Sequence, residues 1–255
     1  MRNHTEHNYN SQILVDMWSD FIDWKKRRQG ENHWLLKTLR SHNCQNIFDA
    51  CLGDGADSIY LLKNKLQVIS NELDPEFQKK AQANAKQNNV ELKLKTYDWR
   101  ELDQHLPANY FDAITCLGNS FTYLFKKKDR EKTLQNFLHI LKKGGILLID
   151  ERNYQKILDQ KDIILKTGTF PYSKKYVYCG DNVKSTPIQI SNKKITFQYI
   201  HKKTGRQGVL FFYPFKKGEL LDCLQKAGFK KIQQYSDYQR KYSDNADFYQ
   251  YLCQK

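Results

Sequence analysis

The stretch Asn46-Ile-Phe-Asp49-Ala-Cys51-Leu-Gly53-Asp-Gly55-Ala-Asp57-Ser58 decides the fold. Its first half, residues 46–51, is a short apolar run with little alternation, which is how a strand covered on both faces reads. Its second half places two glycines where the chain must turn sharply and where backbone can approach a ligand, at the C-terminal end of a strand in an open α/β sheet. Working outward, the same strand texture recurs at 66–72, 91–95, 111–117 and 145–150. Helix-type stretches fill the gaps: 56–64, 75–88 with Pro75 in its first turn, and 128–141, ended by Lys142-Lys-Gly144-Gly145. Strand and helix in alternation predict a doubly wound, Rossmann-like α/β sheet.

On the N-terminal side, Leu14, Met17, Trp18, Phe21 and Trp24 fall on one helical stripe and predict a helix over 11–28. A second is expected over 31–40. Beyond Tyr154 the texture turns to β: strands are expected at 176–178, 187–190, 195–201 and 207–213, with Thr204-Gly205-Arg206 as a hairpin turn. A helix over 219–226 closes at Gly228, and 229–235 with 248–253 reads as a terminal hairpin. The expected organisation is therefore an N-terminal helical cap (1–44), a ligand-binding core (45–155), a β-rich lid insertion carrying substrate contacts (156–215), and a helix and hairpin completing the core sheet (216–255).

The chain has 255 residues, with 42 Lys plus Arg against 28 Asp plus Glu and a formal charge of +14. Fourteen Phe, 16 Tyr and four Trp along that length argue against disorder. No apolar run approaches the roughly 18–20 residues a bilayer needs, and residues 1–10 lack the apolar core of a secretory signal, so a cytoplasmic protein is expected. Six scattered cysteines with no C-x-x-C pair suggest buried thiols and neither a metal site nor a disulfide framework. Net charge is +3 over residues 1–150 and +11 over 151–255. Only nine of the 42 bases are Arg, so the excess reads as a Lys-rich solvated surface rather than a phosphate track.

The glycine loop lacks the third glycine of G-x-G-x-x-G and has no G-K-[ST], which argues against a pyrophosphate and against a P-loop. Glu72 ends the second strand, 23 residues after Asp49, where a carboxylate can hold both hydroxyls of a ribose. Asp98-Trp99 follows the third strand, offering an acceptor for an adenine amino group and a ring to lie on the base. A nucleoside without phosphates fits this set, and S-adenosylmethionine is one.

Leu117-Gly118-Asn119-Ser120-Phe121, Gly144-Gly145-Ile-Leu-Leu-Ile-Asp150-Glu-Arg152-Asn153-Tyr154, Tyr178-Cys-Gly180-Asp181-Asn182-Val183 and Tyr235-Ser-Asp237-Tyr238-Gln resemble the glycine N-methyltransferase family, especially its glycine/sarcosine members. The resemblance runs from about Tyr9 to Lys255. It implies a class I methyltransferase using S-adenosylmethionine to methylate the amine of glycine, sarcosine or a similar small amino acid, toward betaine. Its family includes oligomers, and it implies no nucleic-acid partner. By position it implies that Tyr9, Trp18 and Arg27 close over the methionine end of the cofactor, with Arg27, or Arg28 if the alignment slips by one, on the carboxylate. Cys51 and Gly53 would lie along the methionine, Glu72 on the ribose, Asp98 and Trp99 at the adenine and Leu117 beneath it. For the acceptor it points to Asn119, Arg152 and Tyr199, with Tyr178 and Tyr213 weaker. Cys51, Leu52 and Asp54 depart from the family's usual Ala, small residue and Thr.

The chemistry is sensible on its own terms. A small amino acid offers little area to bury, so its carboxylate must be read, and Arg reads carboxylates through two parallel bonds. Transfer from a sulfonium needs a free amine lone pair, so the rate is expected to rise toward alkaline pH, with water or a Tyr taking the proton. Simpler roles exist for each residue: Trp18 and Trp24 as core, Asp98 as a helix N-cap, Glu72 as a cap of the 75–88 helix, Arg152 in a surface ion pair, the tyrosines as ordinary strand residues. Two other functions also compete. A nucleic-acid methyltransferase would suit the basic C-terminal part, though Asn119-Ser120-Phe121-Thr122 lacks the Pro-Pro-aromatic tetrapeptide of base-amino enzymes. A catalytically silent cofactor binder would suit the unusual Leu52 and Asp54.

Overall fold

Residues 11–170 and 181–255 are described by the structure, a computed structural model. The single N-terminal helix expected over 11–28 is two, α1 (Ser11–Phe21) and α2 (Trp24–Gly30). The apolar stripe continues across the break, but the Asp23 carboxylate accepts the Lys26 N–H at 2.9 Å and caps a new helix. Helix α3 (Trp34–Ser41) follows.

The alternating core is then β1 (Asn46–Asp49), α4 (Ala56–Lys63), β2 (Gln67–Asn71), α5 (Pro75–Gln87), β3 (Lys93–Lys95), α6 (Leu102–His105), β4 (Phe111–Cys116), α7 (Lys127–Ile140) and β5 (Leu141–Arg152). After β5 come α8 (Tyr154–Asp159), α9 (Lys161–Thr167), β6 (Val183–Ile190), β7 (Ile195–His201), β8 (Gln207–Phe212), α10 (Glu219–Ala227), β9 (Lys230–Ser236) and β10 (Phe248–Gln254). The strand expected at 176–178 lies outside the described residues.

One sheet runs β3-β2-β1-β4-β5-β10-β9, parallel through β5, with β10 antiparallel to both β5 and β9 as the terminal hairpin. Strand β1 pairs with β2 on one side and β4 on the other, so the chain winds away from it in both directions. That switch opens a crevice at the C-terminal ends of β1 and β4, directly at the glycine loop. Strand alternation divides the core: Ile47, Ile146 and Leu148 face α3 and α4, while Phe48, Leu147 and Ile149 face α6, α7 and α10.

The inserted strands form their own antiparallel sheet, β6-β7-β8. A third apolar cluster joins it to α1: Leu14, Met17 and Phe21 pack with Ile195, Phe197, Tyr199 and Phe212. Helix α1 fits closely because β8 carries Gly208 there; a Cβ at that position would stand 2.9 Å from Leu14 Cγ and Cδ2. Asp20 with His201 (3.3 Å) and Asp16 with Arg206 (3.4 Å) pin the helix's outer side. Its Trp18 meets Phe77 of α5 edge-on at 5.3 Å, so α1 bridges the insertion and the core beside the crevice. Among the described residues, no helix is long and apolar enough to cross a membrane.

Candidate active site

The loop after β1 is built around open backbone. Gly53 has φ +54, and a Cβ there would meet nothing within 4 Å, which leaves room at the strand end for a ligand. Gly55, at φ +95, is instead packed, with Ile59 Cδ1 2.9 Å from a Cβ position. The Gly53 N–H donates to Glu72 Oε2 and the Asp74 N–H to Glu72 Oε1, both at 2.9 Å. Burial pushes the Glu72 carboxyl up to about 7 in spite of those two bonds. Trp99 Nε1 donates to the Ala50 carbonyl at 2.7 Å, which lays the indole beside the end of β1. Cys51 Sγ donates to the Leu117 carbonyl at 3.1 Å, tying the ends of β1 and β4 together. Beneath the loop, Asp49 accepts from Ser58 Oγ (2.5 Å) and Thr115 Oγ1 (3.2 Å); burial raises its carboxyl to about 6.

The two neighbouring arginines are separated by their surroundings. Arg28 is buried with its guanidinium over the Tyr60 ring at 4.3 Å and pairs with both Glu31 and Asp57. Arg27 Nη2 also donates to Asp57 Oδ2, at 2.6 Å, but its charge is felt by Asp54 and by Asp150 at the strand ends. Burial works to raise Asp57, yet Arg27 and Arg28 outweigh it and hold the carboxyl below its ordinary value. Asp54, the family-atypical carboxylate, accepts from Trp24 Nε1 at 2.8 Å, so Trp24 has a polar role besides packing.

On the acceptor side, Gly118 (φ +75) and Asn119 (φ +67) turn their successive N–H groups onto one buried carboxylate. Asp150 accepts from them at 3.1 and 2.6 Å. Burial raises Asp150 to about 6. The Asn119 amide lies across the end of β5, its Oδ1 accepting the Arg152 N–H (3.0 Å) and its Nδ2 donating to Tyr154 Oη (2.6 Å). The Arg152 guanidinium is buried between two rings, Phe248 of β10 at 4.7 Å and Phe197 of β7 at 5.1 Å. Tyr199, two residues along β7, is buried against Phe21 of α1 at 5.1 Å.

The structure thus brings Cys51, Gly53, Glu72, Trp99, Leu117, Asn119 and Arg152 to the adjoining ends of β1, β2, β4 and β5, with the charge of Arg27 near enough to act on Asp150. Trp18 stands at the rim against Phe77. Asp98 caps the 3₁₀ turn Trp99–Glu101 and pairs with Arg100 at 2.5 Å, so its simpler role is fulfilled. Tyr213 donates to Glu219 at 2.6 Å beneath the Arg130 guanidinium. Tyr9 and Tyr178 lie outside the described residues. Asp150 and Tyr154 stood unassigned within a motif already singled out; strand alternation puts Asp150 on the Arg152 face and could have marked it. Two surface hollows of about 390 and 380 Å³ are rimmed by closed pairs, Lys132–Asp103 and Lys217–Asp244. Among the described residues no group of three or more His, Cys, Asp or Glu is placed to hold a metal ion.

A family profile described as a methyltransferase domain matches residues 47–145. The chain is 36% identical to a glycine/sarcosine N-methyltransferase of Aphanothece halophytica over 98% of this chain and 92% of that one. It is 31% identical to the glycine N-methyltransferase of Rattus norvegicus over 86% of this chain and 78% of that one. Among solved structures, an S-adenosylmethionine-dependent methyltransferase from Clostridium acetobutylicum superposes with a TM-score of 0.72 over 96% of both chains at 17% identity, a likeness of fold.

Proposed function

The chain belongs to the glycine/sarcosine N-methyltransferase family, and from that premise we propose which amine it methylates and which groups carry the reaction. It is a class I S-adenosylmethionine-dependent N-methyltransferase of amino acids. The acceptor is glycine or sarcosine, with dimethylglycine the next candidate on the way to betaine. The observation that carries this is Arg152, a buried guanidinium at the end of β5 held between Phe248 and Phe197. Ring faces on both sides shed its water, and a desolvated guanidinium holds a carboxylate by two charge-assisted bonds.

The cofactor, when bound, supplies an electrophilic methyl on a sulfonium. The open backbone at Gly53 and the half-buried carboxylate of Glu72 suit its sugar, Trp99 and Leu117 its base, and Arg27 its carboxylate, with Cys51 along the floor. Arg152 anchors the acceptor carboxylate and Asn119 its nitrogen. Tyr199 closes the pocket from the insertion sheet, which acts as a lid. Holding the reactants in line can remove about 7–11 kcal/mol of the barrier, and no covalent intermediate is needed. The amine must lose a proton first, to water in this scheme, so the rate rises toward alkaline pH. We place the enzyme in the cytoplasm.

Labelled cofactor incubated with glycine, sarcosine, dimethylglycine or RNA, read by product mass, identifies the acceptor. Label passing to RNA and to none of the amines would sink the reading. Arg152→Lys and Arg152→Ala should raise the acceptor's KM far more than the cofactor's; equal effects on both would remove Arg152 from the acceptor site.

A further inference from the structure

We propose that Tyr154 is a positioning residue that fixes the Asn119 amide with its oxygen edge, not its NH2, available to the acceptor amine. The inference rests on the reading of Asn119 as the contact for that amine, and it concerns how the contact is made competent.

The main chain of Asn119 has no freedom left. It sits at φ +67 after Gly118 at φ +75, and Asp150 takes both N–H groups. What remains is rotation of the terminal amide, whose two edges have nearly the same shape and opposite hydrogen-bonding character. Its two neighbours settle that rotation together. The Arg152 N–H is a donor only, 3.0 Å from Oδ1. The Tyr154 hydroxyl, at 2.6 Å, accepts from Nδ2. Thr122 Oγ1 donates to the Asn119 carbonyl at 2.6 Å, so the surrounding hydroxyl keeps the residue's remaining acceptor occupied.

The orientation matters because of what the substrate is. An amino acid arrives as an ammonium, which only donates. Oδ1 spends one lone pair on Arg152 and keeps one for the substrate, whereas a flipped amide would turn NH2 donors toward a cation. Once the amine has lost its proton, the same oxygen accepts one remaining N–H and turns the lone pair to a fixed direction, as an in-line displacement requires. Tyr154 touches neither reacting atom in this scheme; it acts through Asn119.

The hydroxyl is separable from the ring. Tyr154 is buried in the apolar cluster with Ile157 and Phe212, so Tyr154→Phe keeps the packing and deletes the partner of Nδ2, together with the hydroxyl's contact to Thr122. With saturating cofactor, Y154F should lower the acceptor's kcat/KM by about tenfold, the loss expected when a buried donor is left unpaired. Cofactor Kd by calorimetry should stay within about twofold. In an Asn119→Ala background the same substitution should cost nothing more, because the group it positions is gone. Wild-type acceptor kinetics in Y154F, an equal loss in both backgrounds, or a matching loss of cofactor affinity would each overturn the proposal. Arg152→Ala measured alongside tests the acceptor assignment separately: a normal acceptor KM there would break that assignment while leaving the Tyr154–Asn119 cycle readable.

Discussion

Glu72→Gln tests the cofactor half of the site most directly. The Glu72 carboxylate accepts the Gly53 and Asp74 N–H groups, one on each oxygen at 2.9 Å, and a carboxylate has about four acceptor positions. Two would remain for ribose hydroxyls under the proposed cofactor placement. Gln keeps one oxygen and puts an NH2 against a backbone N–H on the other side, so at least one charge-assisted bond to the sugar is lost. Such bonds are worth about 1.5–3 kcal/mol, which makes cofactor Kd roughly 10- to 150-fold weaker. The pH dependence sharpens the test. Burial pushes Glu72 to about 7, so the carboxylate is ionised above that pH and protonated below it. Hydroxyls donate to the ionised form; affinity is therefore full on the alkaline side and lost as pH falls through 7, by about tenfold between pH 8 and 6. Calorimetry at pH 6, 7 and 8 should show that slope in the wild type and a flat line in E72Q. Asp49 and Asp150, both pushed to about 6, enter only at the lower end of the window. Wild-type affinity in E72Q, or a variant that keeps the tenfold slope, would move the ribose site elsewhere.

Glu151 faces the opposite side of β5 from Asp150 and Arg152, buried and accepting from Tyr251 Oη at 2.7 Å. Burial raises it from 4.5 to about 8, so the folded chain keeps a proton that the unfolded chain has released; the stability it contributes is full below pH 4.5 and lost as pH rises to 8. Glu151→Gln should therefore raise unfolding free energy in urea by about 2–4 kcal/mol at pH 8.5 and by little at pH 5, and identical pH slopes in both proteins would refute this. Gly208→Ala drives a methyl onto Leu14 Cγ, which cannot swing away as a chain end could, and should cost about 1–3 kcal/mol of overpacking. Because Gly208 is paired with Tyr199 across the β7–β8 ladder, acceptor KM should rise with it, whereas unchanged KM and unchanged proteolysis near α1 would show that the helix simply adapts.

The core was legible because buried parallel strands leave contiguous apolar runs, and the β1 loop followed from its two glycines. Element ends were less so. Nothing in the stripe from Phe21 to Trp24 shows that Asp23 will cap a new helix, since the apolar spacing is continuous across it. Residue roles that depend on which face a side chain takes were hidden in the same way. Asp150 and Glu151 are adjacent acids with opposite fates, one holding a loop and the other sealed behind the sheet with Tyr251. Arg27 and Arg28 looked equivalent in sequence; Glu31, three residues further on, claims Arg28 and leaves Arg27 nearer the strand ends. The likeness to a family supplied Arg152 and Asn119, but not the phenylalanines that flank the first or the tyrosine hydroxyl bonded to the second. Those contacts join β10 and β7 to β5 across long sequence separations, where no local pattern reaches.

The surplus of positive charge also separates into two kinds once positions are known. The arginines 27, 28, 130 and 152 are buried, and beside the site the interior carries Asp49, Asp54, Asp57 and Asp150. The weakly hydrated, forked guanidinium tolerates such burial where an ammonium would not. In the proposed reading, the partner of the acceptor nitrogen is then the informative choice. A carboxylate there would hold an ammonium tightly and raise its pKa, keeping on the amine the proton that must leave before reaction. Asp150, the carboxylate nearest that loop, has its oxygens engaged by two backbone N–H groups. In the proposed reading a neutral amide oxygen remains, able to orient the nitrogen while stabilising its charge far less than a carboxylate would, and Arg152 one strand-end away favours loss of the proton by repulsion. If Arg152 and Asn119 hold the acceptor as proposed, anchoring the carboxylate with full charge and the amine with only a dipole lets one site bind a zwitterion and still release its lone pair.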